Sequence, residues 1–259
     1  MAVIGGVVTF VHVTRDRGPE VIVLRPVDAQ GNVQDGWQER TPSRGSSPID
    51  CSYGEPSPYD VGSSIRFCGS TADSADACWS AADTDHVLCV RDPFTKVVDL
   101  LAADGLSSPR KPAEHGYQPF GLVLDNGRQC RARIGGAWSS PVEHPDWVGY
   151  FGCGSSPRDF TAVWAPPDSS GTSGGITRND DGWSVMVGPA EGHLTSQRVT
   201  TVYYVGVAGD HDAFSDADHT SGAAGRTGGT RGHSLDRDHC YAKLVSTTHP
   251  VDGSTAFNP

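Results

Sequence analysis

Seven cysteines, at positions 51, 68, 78, 89, 130, 153 and 240, are the first residues of this chain with chemistry to offer. Thiolates either bind metals or join as disulfides. Structural zinc sites bring their ligands in closely spaced pairs, and no CxxC pair occurs here, so disulfides are the expected use. Disulfides imply an oxidising compartment. Cys130 and Cys153 are expected to pair. Cys51, Cys68, Cys78 and Cys89 are expected to bridge among themselves, in an order left open, and Cys240 is left as the free cysteine.

Other residues have reactive types in less telling patterns. Asp210-His211-Asp212, with Asp216, Asp218 and His219, gathers carboxylates and imidazoles of the kind that suit zinc, nickel or manganese. The spacing lacks the sixth-position Gly and twelfth-position Glu of an EF-hand loop. A solvated acidic tail accounts for the same residues, so no metal is expected, and His211, Asp212, Asp216 and His219 are weak candidates only. Asp83, Asp85 and His86 have the types of an acid–base set, but a polar turn between strands needs them equally, and the turn is preferred. Asp73 and Asp76, between Cys68 and Cys78, are expected to cap or bridge a constrained loop. Gly171-Thr-Ser-Gly-Gly175 is similar to the Gly-Asp-Ser-Gly-Gly of trypsin-like proteases, where an Asp-oriented His activates the serine. Here Thr172 replaces the Asp. His86, His115 and His144 stand in no matching context, and a flexible loop is the better account of Ser173. No P-loop, dinucleotide fingerprint or HExxH is present, and no cofactor is expected.

These residues must be positioned by strands. Phe120, Leu122 and Leu124 alternate with smaller residues up to Asn126-Gly127, a turn pair, and Cys130, Ala132 and Ile134 alternate with Gln129, Arg131 and Arg133 on the return. This predicts a half-buried antiparallel hairpin with Arg131 and Arg133 in water, where they either solubilise the sheet or meet an anionic envelope component; solubility is preferred. Trp147 to Cys153 predicts a third strand, with Cys153 facing Cys130. Trp138 and Trp147 could stack on a sugar ring, though a core role is preferred. Further strands are expected at 20–27, 65–68, 77–79, 87–90, 160–164, 183–187 and 199–205. One helix is expected from Asp92 as N-cap and Pro93 as first residue, through Phe94, Val97, Val98 and Leu101, to Asp104-Gly105.

Composition agrees with a loop-rich β protein: 259 residues, 32 Gly, 18 Pro, two Met and 36% hydrophobic. The net charge of −11, with no basic stripe, disfavours a nucleic-acid partner. Residues 1–17 predict either a partial membrane or signal helix, which would anchor the protein through its N-terminus, or an N-terminal strand. Residues 18–205 form the expected β-rich, disulfide-containing domain, and 206–259, rich in Gly, Asp, Thr and His, is expected to be a disordered tail.

Several runs carry a resemblance: Phe67-Cys-Gly-Ser-Thr-Ala-Asp-Ser-Ala-Asp-Ala-Cys-Trp79, Leu88-Cys89 with Asp92-Pro93, Phe120-Gly-Leu-Val-Leu124, Cys130-Arg-Ala-Arg-Ile-Gly-Gly-Ala-Trp138, Gly149-Tyr-Phe-Gly-Cys153 and Trp183-Ser-Val-Met-Val-Gly188. Over about three fifths of its length, Cys51 to Val205, the chain resembles a family of secreted or membrane-anchored proteins of high-GC, mycobacteria- or nocardia-like actinobacteria. The resemblance implies an N-terminal membrane helix and an envelope location; it brings no catalytic residues. The expectation is therefore a mainly β, disulfide-linked protein, an antiparallel meander, sandwich or open barrel with one short helix. Its expected role is a non-catalytic extracytoplasmic one, binding or structural, at the cell envelope. The alternative is a secreted hydrolase with an unrecognised site.

Overall fold

The structure is a computed structural model that describes residues 18–41, 47–62, 65–69, 74–83, 85–106, 117–136, 138–154, 160–167 and 174–209. Expectations for residues 1–17, Asp73, Ser173, His211, Asp212, Asp216, His219 and Cys240 lie outside these residues, as do those for the tail beyond 209. Among the described residues the chain forms strands and no helix.

The first half supplies β1 (Glu20–Leu24), β2 (Gln38–Arg40), β3 (Ile49–Asp50), β4 (Arg66–Cys68), β5 (Ala75–Ser80), β6 (His86–Cys89) and β7 (Val97–Asp104). The second supplies β8 (Gly121–Leu124), β9 (Gln129–Ala132), β10 (Val148–Gly152), β11 (Thr161–Ala165), β12 (Thr177–Asn179), β13 (Gly182–Pro189) and β14 (Thr195–Val205). Each of β8, β9, β10, β11, β13 and β14 pairs antiparallel with the next, and β14 returns to β8, so the meander closes into a six-stranded barrel. Closure removes the unpaired edges that an open sheet would expose. Alternation does the rest: Leu122, Leu124, Cys130, Ala132, Phe151, Val163, Val185, Val187, Val199 and Val202 are buried in one apolar cluster.

The eleven-residue β14 serves two partners along one edge. Its first half pairs with β13, and its second half, Thr201–Val205, pairs in parallel with β1. A second sheet runs β2-β7-β6-β5-β4, with β3 also on β7. Here β4, β5, β6 and β7 are antiparallel, whereas β2 and β3 both lie parallel to β7. The short β2, β3 and β12 fall where the sequence predicts only loop.

The expected helix is a strand. Asp92 does act as a cap, but for a turn: its Oδ1 accepts the Phe94 N–H at 2.9 Å, and its carbonyl accepts the Thr95 N–H at 3.3 Å. Beyond it, Val97-Val-Asp-Leu-Leu101 enters the β7 ladder between β6 on one side and β2 and β3 on the other. Apolar residues at i, i+3, i+4 and i+7 fit a helix, but adjacent β-branched valines fit a strand buried on both faces equally well. The waiting ladder partners decide between them.

Three disulfides fasten the strands. Cys130–Cys153 ties β9 to the end of β10, as the sequence predicts. Cys78–Cys89 joins directly opposed residues of β5 and β6, and Cys51–Cys68 ties the segment after β3 to β4, which resolves the open pairing. They fit an oxidising, extracytoplasmic setting. No helix among the described residues is long and apolar enough to cross a membrane.

Sheet and barrel meet over a mainly apolar junction. Pro93 and Phe94 lie against Gly121, where a Cβ would stand 2.7 Å from Pro93 Cγ. Phe94 meets Tyr203 edge-on, Tyr59 stacks on Phe120, and Trp79 Nε1 donates to the Gly206 carbonyl at 3.2 Å.

Candidate functional site: a carboxyl and a guanidinium at the sheet–barrel junction

Within this apolar junction lie charged groups. Asp76, on β5 in the run Ala75-Asp-Ala-Cys-Trp79, is only 4% exposed. Its Oδ1 accepts from Ser74 Oγ at 3.4 Å, and Tyr59 also hydrogen-bonds to it. Burial pushes the Asp76 carboxyl up to about 6, while Arg131, Ser74, Arg91 and Tyr59 pull the other way. Across from it, Arg131 projects from β9, and its Nε and Nη2 are shielded from solvent without a hydrogen-bond partner. Burial holds the Arg131 guanidinium below its ordinary value; the charges of Asp76 and Asp92 oppose that shift and Arg91 adds to it.

This corrects the expectation that Arg131 sits in water. Arg131 does lie on the outward side of β9, but the segment Arg91 to Phe94 covers that side. Gly121, paired with Arg131 in the β8–β9 ladder, leaves room for the cover. Alternation reports which way a side chain points; it does not report what lies beyond.

The surrounding charges form a second set that the sequence did not suggest. Asp99 on β7 is buried and accepts two bonds from the guanidinium of Arg40, from Nε at 2.6 Å and from Nη2 at 2.9 Å. Arg91 Nε lies 3.4 Å from its Oδ2. A signal for this network existed: Asp76 and Asp99 each interrupt a run of apolar residues on a strand, where a charge has to be partnered.

The aromatic candidates are placed elsewhere. Trp138 lies over Gly149 and Gly152 on the outer side of the barrel, edge-on to Phe160 and to the fully buried Trp164. Trp147 stacks on His144, with centroids 3.9 Å apart, and packs with Trp138 into the same satellite cluster. Arg133 bonds the carbonyls of Gly135, Gly136 and Gly149 and sits 5.0 Å above Trp138, so it braces this loop instead of standing free in solvent. Glu143 fastens the loop to the β13–β14 turn by pairing with His193 and accepting the Leu194 N–H at 3.0 Å. Both tryptophans are half-buried, and neither joins Arg131 in one site.

Asp83 and His86 do meet, with Oδ1 and Nδ1 2.9 Å apart. Asp83 also accepts the Asp85 N–H at 3.3 Å, so the pair organises the β5–β6 turn. Among the described residues no three His, Cys, Asp or Glu side chains are placed to hold a metal ion. No protein-family model, curated protein or solved structure matches the chain.

What the junction can do chemically is take up and release a proton in the mildly acidic range. The sign follows from linkage. A carboxyl whose folded-state value is raised from 3.8 to about 6 holds its proton more tightly when folded. Its contribution is therefore greatest below pH 4 and declines as pH rises to about 6. Asp76→Asn should remove that decline, worth up to about 3 kcal/mol, from the pH dependence of stability. Urea melts of both proteins at pH 4.5 and pH 7 measure it. Parallel pH profiles for the two would show that Asp76 is not the titrating group.

Proposed function

We propose that this chain is a non-catalytic extracytoplasmic module, secreted or anchored at the cell envelope, with a binding or structural role. The observation that carries the reading is the set of three disulfides, whose sulfurs are themselves core atoms: Cys51, Cys68, Cys78 and Cys89, with Ala75 and Val87, make up one small buried cluster. Such a cluster needs an oxidising compartment to form. The strongly perturbed groups, Asp76 and Arg131, are turned into the junction between two sheets, which suits a scaffold better than a cleft that receives substrate. The resemblance to actinobacterial envelope proteins supports the same location.

The test is a compartment assay joined to an activity probe. Cells producing the full chain are treated with a bulky maleimide before and after reduction, and the purified protein is treated with a fluorophosphonate. The reading expects one reactive thiol before reduction, seven after it, recovery outside the cytoplasm, and no serine labelling. Seven free thiols in a cytoplasmic protein would remove the location. Stoichiometric labelling of Ser173 would replace the module with a secreted hydrolase.

A further inference from the structure

The fold contains two arginines whose guanidinium edges can be compared directly. Arg40 uses its Nε–Nη2 edge to grip both oxygens of Asp99. On Arg131 the same edge is shielded from solvent and empty. A cationic donor pair left without acceptors in apolar surroundings is among the costlier arrangements a folded protein can hold. The edge is shielded from bulk solvent, so protein groups beside it are the first place to look for a partner.

The groups that face Arg131 are few. Arg91 repels it. Asp92 has its Oδ1 engaged by the Phe94 N–H, a bond that turning away would break. Tyr59 offers one oxygen and already bonds to Asp76. Asp76 offers two oxygens, and its hold on Ser74 is long, at 3.4 Å. It stands on β5 of the second sheet, whereas Arg131 stands on β9 of the barrel.

We propose that Asp76 and Arg131 form a proton-gated latch between the two sheets, in which the ionised carboxylate turns onto the free guanidinium edge and the protonated carboxyl leaves it empty. Closing the latch releases one proton to solvent and forms two charge-assisted hydrogen bonds, of the kind that joins Arg40 to Asp99, across a junction otherwise held by Pro93, Phe94, Tyr59 and Trp79. The latch also returns part of the cost of ionising a buried carboxyl. Burial of Asp76 brings its proton into the mildly acidic range, and the latch, which favours the carboxylate, draws the midpoint below the value of about 6 that burial sets.

The titration is followed on the full, isotope-labelled chain between pH 4.5 and 7.5, recording the Arg131 Nε–H resonance and the Asp76 carboxyl carbon. The expected result is one shared midpoint, with the Nε–H moving downfield and exchanging more slowly with water as the carboxyl ionises. In Asp76→Asn the Nε–H should not respond to pH. Arg131→Lys keeps the charge but loses the paired edge, and should move the Asp76 midpoint upward by about one unit. An Nε–H that stays unchanged while Asp76 titrates in the unaltered protein overturns the latch, whether or not the variants fold. A response that survives Asp76→Asn and disappears in Asp92→Asn assigns the edge to Asp92 and overturns it equally.

Discussion

Reduction of the three disulfides is expected to lower the melting temperature by about 20 °C or more. The bridges span 17, 11 and 23 residues. Loops of that size are each worth roughly 3 kcal/mol on the chain-entropy account, against a typical total stability of about 5–15 kcal/mol. The loss should be uneven. Four of the six bridged cysteines make up most of the small core of the second sheet, so opening Cys51–Cys68 and Cys78–Cys89 removes packing together with cross-links. The barrel keeps Leu122, Leu124, Phe151 and its valines when Cys130–Cys153 opens. A Cys130→Ala/Cys153→Ala variant should therefore fold and melt a few degrees to ~10 °C lower, whereas removing the other four cysteines should prevent folding of the second sheet. Calorimetry with and without reductant, and on these variants, measures both effects. A change under about 5 °C on full reduction would mean that the bridges stabilise far less than their burial implies.

Gly31→Ala is expected to destabilise the protein by about 3 kcal/mol or more. Gly31 closes the turn in which Asp28 Oδ1 accepts the N–H groups of Gln30 and Asn32, at 2.9 and 2.8 Å. It adopts a φ of 84°, and the turn lies directly on the backbone that leaves β5. A Cβ at this position would stand 2.5 Å from the Ala81 carbonyl carbon and 2.8 Å from the Ser80 oxygen, and would also strike the Ala82 nitrogen. Backbone atoms cannot move aside as a flexible side chain would. Gly36 separates the two contributions: its φ is 82°, and nothing lies within 4 Å of its Cβ position. Gly36→Ala should cost only the left-handed backbone penalty, about 1–2 kcal/mol. Equal losses at the two positions in urea denaturation would show that contact with Ser80–Ala82 contributes nothing.

Much of the barrel is legible in the sequence because its signals are local. Leu122 and Leu124, the Asn126-Gly127 turn, and Cys130 with Ala132 define a hairpin within about a dozen residues, and Cys153 follows on the next strand. The second sheet is less legible. Gln38–Arg40 and Ile49–Asp50 carry little apolar periodicity, and they become strands only because β7 offers each of them a parallel ladder. The same β7 overrides the helix signal that begins at Asp92. The site divides along this line. That Arg131 faces away from the barrel core follows from alternation with Cys130 and Ala132. That a turn from another sheet covers it, and that Asp76 waits beside it, depends on contacts between residues far apart in sequence, which no local pattern encodes. Trp138 illustrates the same limit: its type fits a sugar platform, but Gly149 and Gly152 make room for it to pack against the protein itself.

The sharing of β14 between β13 and β1 has a consequence for how the molecule is made. Glu20 pairs with Thr201, roughly 180 residues later, so β1 is made long before its partner strand exists. The hairpin of β5 and β6, with its own disulfide, can form early; the barrel cannot shut until β14 has emerged. Until then β1 and the outer edges of β8 and β13 stay unpaired, a state that invites association between nascent chains. A chaperone that holds the newly made polypeptide until β14 has emerged, or transport across a membrane before folding, would suit this order of assembly.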